Sequence, residues 1–412
     1  MDFIGKLKKH IENSDKRSFI EKVTKKNKSI NLNKDIDNLI NGEYLANDFG
    51  ECFLRKTIFS NDYNHGEINL NRIYEIDLEI VNLLLSCNEN IDIEKMLFLD
   101  TETTGLSSGT GTIAFLVGIG YFLEGNFILK QFFLKDYDQE PAMLNEFLDI
   151  VSNYEILVSF NGKAFDWNLL NTRLLLNRVK INDKNFLHLD LLHISRNIWN
   201  KKLESCRLAS IEENILNIRR NNDIPGMFIP KLYFEYLQTR DGINMKRVIE
   251  HNEIDILSMI TLLVKIIDIC EDPIINSFDW YEIIGVGNIY EKRLNFNRAK
   301  DIFKHCTLSE NKYIKVEAYK KLVNLYRKEK DYKNMGLCLN KIIKVSDLPT
   351  INTMIDLAKF YEHKEKDYNT ALKIVDRAIE DVLKFNAMRK LYLKDLKYRR
   401  DRINKKLKKN NY

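Results

Sequence analysis

Residues 95–125 read KMLFLDTETTGLSSGTGTIAFLVGIGYFLEG and place two carboxylates at the end of an otherwise apolar strand. Met96 to Leu99 is the apolar run of a buried strand, and a period of two puts Asp100 and Glu102 on the same side of it. Interior carboxylates are costly unless a cation or a solvated cleft receives them. A surface turn tolerates the same tripeptide, so the reading depends on the rest of the chain. After Glu102 come the glycine-rich TTGLSSGTGT, the strand-like TIAFLVGIGYF, a turn at Glu124-Gly125-Asn126 and the strand-like FILKQFFL. Together they predict a hairpin beside the carboxylate strand. Gly118-Ile119-Gly120 lies inside a strand rather than between a strand and a helix, so it carries little weight as a nucleotide-binding signal.

Two further acids stand downstream. In EILVSFNGKAFDWNLLNTRLLLNR a buried strand ends at Phe160, Asn161-Gly162-Lys163 turns the chain, and Asp166 opens a helix after the Glu140 to Asn153 helix. An acid there is also ordinary helix N-terminal chemistry, and only coincidence with Asp100 and Glu102 raises it. NFLHLDLLHI predicts another strand, with Asp190 between His188 and His193. Helical SCRLASIEENIL, the loop NNDIPGMFIP and the helical KLYFEYLQTR follow. MKRVIEHNEIDILSMITLLVKIIDIC then predicts a long helix with His251, Asp255, Ser258 and Leu262 on one face. A His and an Asp four apart are, alone, a common solvated helix surface.

Before the carboxylate strand, residues 1 to 28 read as an amphipathic helix with nine basic and four acidic residues, followed by polar Asn31 to Asn41. GECFLRKTIF and EINLNRIYEI are strand-like around the turn SNDYNHG, where His65 is expected to be an exposed loop histidine, and Asp77 to Cys87 is a short helix. Past Pro273, Asn295-Phe296, Asp331-Tyr332 and Asp367-Tyr368 recur at intervals of 36 residues, each before a helical stretch. That period predicts an α-solenoid of helix pairs. The last stretch, Lys384 to Tyr412, carries twelve Lys or Arg against two Asp, a composition that suits either a solvated terminal helix or phosphate binding.

At 412 residues, with 44% hydrophobic and 30% charged residues, the chain can bury two or three cores. Cys52, Cys87, Cys206, Cys270, Cys306 and Cys338 form no C-x-x-C pair, which argues against a zinc ribbon and a disulfide scaffold and fits a reducing cytoplasm. No signal-peptide core is seen, and the longest apolar run, Met259 to Cys270, is broken by Lys265 and Asp268, so no membrane partner is expected.

The D-T-E-T-T-G run, the N-x-x-x-F-D segment with its trailing arginine and H-N-E-I-D-I-L-S resemble the three motifs of the DEDD 3′ to 5′ exonucleases of the ribonuclease H-like superfamily. FLDTETTGL with SSGTGT, FNGKAFDW, LHLDLLH, the DIPG loop and EHNEIDILS, in that order over about residues 45 to 270, resemble more closely the YprB ribonuclease H-like family. The later repeats resemble degenerate tetratricopeptide repeats. The resemblance implies a two-metal site of Mg²⁺ or Mn²⁺ on Asp100, Glu102, Asp166 and Asp255, with Asp100 bridging the ions and His251 orienting or deprotonating the attacking water. Exonucleases with a histidine base space it five residues before the final Asp. Here His251 stands four before Asp255, where the tyrosine-bearing enzymes carry their tyrosine. Thr103, Asn161, Lys163, Arg173 and Arg207 are the candidate nucleic-acid contacts.

The expected architecture is an α/β ribonuclease H-like domain, a mixed central sheet flanked by helices, followed by an all-α solenoid of tetratricopeptide-like helix pairs. The expected segments are an N-terminal helical stretch at 1–42, the nuclease domain at 43–272 with a strand extension at 43–94, repeats at 278–383 and a basic tail at 384–412. The expected function is metal-dependent cleavage of DNA or RNA, exonucleolytic by resemblance, with a protein partner for the repeats. A noncatalytic nucleic-acid binder and a protein-interaction scaffold with a degenerate nuclease domain are the alternatives.

Overall fold

A computed structural model describes residues 34–105, 109, 111–179, 186–220, 223–346, 350–384 and 386–410. The helix expected over residues 1–28 and much of the SSGTGT loop lie outside the described residues. In chain order the principal elements begin with strands β1 (Glu43–Asn47) and β2 (Gly50–Phe59) and helix α1 (Leu78–Leu85). Strands β3 (Met96–Thr103), β4 (Ala114–Leu123) and β5 (Asn126–Phe133) come next. Helix α2 (Glu140–Val151), β6 (Ile156–Ser159), α3 (Asp166–Leu176) and β7 (Leu187–Asp190) follow. Then come α4 (Leu191–Trp199), α5 (Leu208–Asn214), α6 (Ile229–Thr239) and the 29-residue α7 (Ile243–Glu271).

The seven strands form one mixed sheet in the order β1-β2-β5-β4-β3-β6-β7. β3 lies inside it, antiparallel to β4 and parallel to β6. The β4–β5 hairpin turns on Glu124 and Gly125, both in the left-handed region at φ 50° and 78°. Leu97 and Leu99, on one face of β3, share a core with Leu169, Leu170 and Leu174 of α3. Phe98, on the other face, packs edge-on to Phe122 and Phe127. The mixed sheet with flanking helices is the architecture expected from the sequence.

Two local expectations differ. EINLNRIYEI is strand only at Ile68–Asn69 and continues as a 3₁₀ turn over Leu70–Glu75, because the Asn69 side chain accepts the Asn71 amide and caps it. NFLHLDLLHI leaves the sheet at Asp190, whose carboxylate accepts the Leu192 amide at 3.0 Å and starts α4.

The chain divides into two compact units. Among the described residues, the first holds 34–65, Asp92–His188 and Ile218–Ile260; the second holds Gly66–Ile91, Leu189–Asn217 and 261–410. A cut between Glu271 and Phe278 therefore passes through the second unit. There Trp199 Nε1 donates to Glu282 Oε1 at 2.9 Å, and Gly285 lies so close to the main chain of Asn197 that a Cβ would stand 2.4 Å from its carbonyl oxygen.

The rest of the second unit comprises helices α8 (Trp280–Lys292), α9 (Phe296–Cys306), α10 (Lys312–Lys328), α11 (Tyr332–Val345), α12 (Ile351–Phe360), α13 (Tyr368–Leu383) and α14 (Asn386–Asn410). The 36-residue period is a capping period. Asn295, Asp331 and Asp367 each accept the amide three residues on, starting α9, α11 and α13. The residues before them, Leu294, Lys330 and Lys366, all take left-handed φ, at 63°, 61° and 56°.

Thirty-six residues separate Tyr290 from Tyr326 and Tyr326 from Glu362, so the third pair carries a carboxylate where the first two carry an aromatic ring. Glu362 lies in a π-helical turn, Tyr361–Glu365, with its side chain fully buried. It accepts from Arg399 at 3.1 Å, from Arg402 at 2.8 and 2.6 Å and from Lys406 at 2.8 Å, all on α14. Burial alone would raise its carboxyl, but Arg402 and Lys406 outweigh it and hold the pKa at about 2, below the ordinary 4.5. A depressed carboxyl stabilises the fold above its unfolded pKa. Glu362→Gln should therefore cost about 3 kcal/mol at neutral pH. In urea titrations followed by helical circular dichroism, the gap from the parent should close as pH falls from about 4.5 towards about 2.

Candidate active site

Across β4, Asp100 pairs with Gly118 and Glu102 with Leu116, and the register then shifts between Glu102 and Thr103. Such irregularities re-aim side chains at the end of a strand. Thr101, on the alternate face, donates its hydroxyl to Asp166 Oδ1. Asp166 is the buried first residue of α3. The turn before it is tight: Asn161 takes a left-handed φ of 71°, and Trp167 N donates to Gly162 O at 3.0 Å. A Cβ on Gly162 would stand 2.7 Å from the Ser159 side chain and 3.0 Å from Asp166 Oδ2.

From the other side comes α7. A Cβ on Gly118 would stand 2.2 Å from Asn252 Oδ1 and 2.5 Å from Ile256 Cδ1; one on Gly120 would stand 2.9 Å from Ile256 Cγ2. The G-x-G of β4 is therefore a groove for a helix, which accounts for glycines inside a strand. In that groove Asn252 Nδ2 donates to Asp100 Oδ2 at 2.8 Å. Gln131 Nε2 donates to Asn252 Oδ1 and to Ile249 O, each at 2.8 Å, while its own oxygen accepts from Arg55 Nη1 at 2.8 Å. A buried polar chain from Arg55 through Gln131 and Asn252 thus fixes one oxygen of Asp100. Sequence reasoning missed these three residues. The available signal was a lone glutamine within the apolar FILKQFFL.

His251 and Asp255 follow on the same helix. His251 Nε2 lies 3.6 Å from Glu102 Oε1 and 3.6 Å from Asp255 Oδ2. Its Nδ1 lies 2.6 Å from Asp223 Oδ1 and 3.1 Å from Arg220 Nη1, and of those two only the carboxylate can accept its proton. Asp223, from the DIPG segment, is a fourth residue the sequence reading left without a role. Arg220 is a fifth: its side chain is 8% exposed, and Nη2 donates to Asp255 Oδ1.

The acids feel one another. Burial first, then the charges of Asp255 and Asp166, hold the Asp100 carboxyl well above the ordinary range, against Asn252 and Arg220. Burial and then Asp100, Asp255 and Asp166 do the same to Glu102. Burial disfavours the imidazolium of His251, but Asp255 and Asp223 outweigh it and raise its pKa. Burial likewise works against the Asp223 carboxylate, and His251 and Arg220 overcome it to lower that pKa.

Residues 97–267 match the family described as the RNase H superfamily. This segment is an RNase H superfamily domain. The uncharacterized protein YprB of Bacillus subtilis (strain 168) is 28% identical over 370 residues, covering 80% of this chain and 81% of its own length. The RNase H-like fold is that of a nuclease superfamily, and no described helix is long and apolar enough to cross a membrane.

Within the RNase H superfamily domain, Asp100, Glu102, Asp166, His251 and Asp255 interact as described above. Thr103 is buried, with its hydroxyl donating to Gly105 O at 2.7 Å. Asn161 and Lys163 are exposed in the turn before Asp166. Arg173 instead forks onto buried Glu140, its Nε 2.6 Å from Oε1 and its Nη2 on Oε2, which ties α3 to α2. Arg207 is exposed at the start of α5, in the second unit. His65, expected in the open, is buried with Nε2 2.9 Å from Ser258 Oγ, and burial, with Arg220 adding to it, lowers its pKa to about 4.

Carboxylate oxygens are the donors hard divalent cations prefer, and mutual repulsion among these acids calls for positive charge, so the residue types fit Mg²⁺ or Mn²⁺. Among the described residues no group of three or more His, Cys, Asp or Glu side chains stands as a ready-made ligand set. Asn252, Thr101 and Arg220 hold three of the carboxylates separately. The glycine groove is the simplest feature to test. Gly118→Ala forces Asn252 and Ile256 to shift and should cost about 1–3 kcal/mol in urea unfolding. Gly111→Ala, with nothing within 4 Å of its added Cβ, should stay within about 0.5 kcal/mol of the parent.

Proposed function

We propose that this chain is a divalent-cation-dependent nuclease that hydrolyses nucleic-acid phosphodiesters, a 3′ to 5′ exonuclease of the DEDD type. The observation that carries this reading is His251, whose Nε2 lies 3.6 Å from both Glu102 and Asp255 and whose far nitrogen is engaged by Asp223, beside a Glu102 that feels the charges of Asp100 and Asp166. Asp100, Glu102, Asp166 and Asp255 would hold Mg²⁺ or Mn²⁺, which when bound offset the acids and stabilise the leaving oxygen of a phosphodiester. The Asp223 carboxylate accepts a hydrogen bond from Nδ1–H of His251, which leaves the Nε2 lone pair on the side of Glu102 and Asp255, where it would accept a proton from the attacking water. This geometry supports a base role despite the four-residue spacing, because an Asp223 contact sets the ring plane. The exposed Asn161 and Lys163 would contact the substrate backbone, while the buried Thr103 holds the loop at Gly105.

The alternative of a noncatalytic nucleic-acid binder is favoured by one observation, the guanidinium already on Asp255. Hydrolysis of labelled single- and double-stranded DNA and RNA in Mg²⁺, Mn²⁺ or EDTA separates the two. Asp100→Asn and Asp255→Asn should each abolish cation-dependent hydrolysis while leaving the fold intact by circular dichroism; cleavage undiminished in both would remove the proposed site. His251→Ala should lower kcat by on the order of 10². Asp223→Asn, which removes the carboxylate charge beside His251 Nδ1 and Arg220, should reproduce most of that loss with KM little changed. A loss of stability with normal specific activity would make His251 a packing residue instead.

A further inference from the structure

Arg220 brings a cation into the acid cluster from within the chain. Its guanidinium meets three groups of the site: Nη2 donates to Asp255 Oδ1, Nη1 lies 3.5 Å from Asp223 Oδ2, and Nη1 lies 3.1 Å from His251 Nδ1. At 8% exposure it is more sheltered than the carboxylates it serves, Asp255 at 15% and Asp223 at 29%. A guanidinium so placed is costly unless acids receive it, and acids so crowded are costly without a cation. Each therefore satisfies the other in this structure. The same Asp255 oxygen cannot serve a guanidinium N–H and a hard divalent cation equally well, since both draw on the same lone pairs and the same negative charge. Several rotatable bonds separate the guanidinium from the main chain, so it can leave Asp255 by side-chain rotation alone. Once released it is a planar fork suited to the two free oxygens of a phosphodiester.

We infer that Arg220 is a resident counter-cation that Asp255 exchanges for a divalent ion, and that the exchange frees its guanidinium for the phosphate of the nucleic acid. This rests on the cation-dependent nuclease reading of the site. It makes the metal-free protein a latched form, stabilised internally, and it couples cation entry to substrate grip through one side chain. An arginine that merely braced Asp255 for the metal would have the opposite signature, because removing it would loosen the cation.

The test is Mn²⁺ titration calorimetry on the full-length parent, Arg220→Gln, Arg220→Lys and Asp100→Asn, without nucleic acid. If Arg220 competes, Arg220→Gln binds Mn²⁺ more tightly than the parent by on the order of tenfold, and Arg220→Lys falls between. Affinity equal to or below the parent's in Arg220→Gln overturns the exchange. Should Arg220→Gln fail to fold, Arg220→Lys decides alone by the same criterion. Mn²⁺ binding no different among the parent, Arg220→Gln and Asp100→Asn would instead overturn the metal site itself. A second arm measures affinity for a phosphorothioate single strand before and after Mn²⁺. The parent should gain several-fold more than Arg220→Gln, and equal gains would rule out transfer of the guanidinium to phosphate.

Discussion

Helix α7 can reach the end of β3 only because Gly118 and Gly120 of β4 have no side chains. With the groove open, Asn252 comes within hydrogen-bonding distance of both Asp100 and Gln131, and the same turn of the helix carries His251 and Asp255. Steric room thus comes first and electrostatics second. A methyl group in the sheet would push on Asn252 and Ile256 of the helix, which also carries His251 and Asp255. Interiors are too densely packed to absorb such a shift locally.

Once assembled, the cluster holds more negative charge than burial tolerates. Asp100 and Glu102 resist ionisation because they are sheltered and because each lies in the field of the other acids. The chain answers with neutral donors at Asp100 and Asp166, from Asn252 and Thr101, and with one full positive charge at Asp255, from Arg220. Asp223 and His251 form a further pair, each shifting the other towards its charged form. Under the proposed activity, these carboxylates, each held here by its own partner, would converge on a cation.

The second unit solves a different problem. The second helix of each of its pairs begins at one of the evenly spaced Asn or Asp caps, each after a residue in the left-handed region. Where the third pair substitutes Glu362 for the tyrosine of the first two, α14 supplies Arg399, Arg402 and Lys406 to a fully buried carboxylate. Part of the basic composition of the tail is thereby spent on anchoring the last helix.

Much of this was legible in the chain alone, and the reasons are local. The apolar run into D-T-E-T showed β3 and its acid face because a strand alternates with period two. The 36-residue recurrence was visible because capping chemistry is written in single residues, and the family resemblance followed from motifs kept in order. Tertiary structure decided what depends on neighbours distant in sequence. It turned Gly118 and Gly120 from a weak nucleotide signal into a helix groove, buried His65 against Ser258, and tied Arg173 to Glu140. It also brought Arg55, Gln131, Asn252, Asp223 and Arg220 to the acids. No periodicity announces an arginine 35 residues before the aspartate it neutralises, since the attraction between them exists only after the intervening chain has folded back.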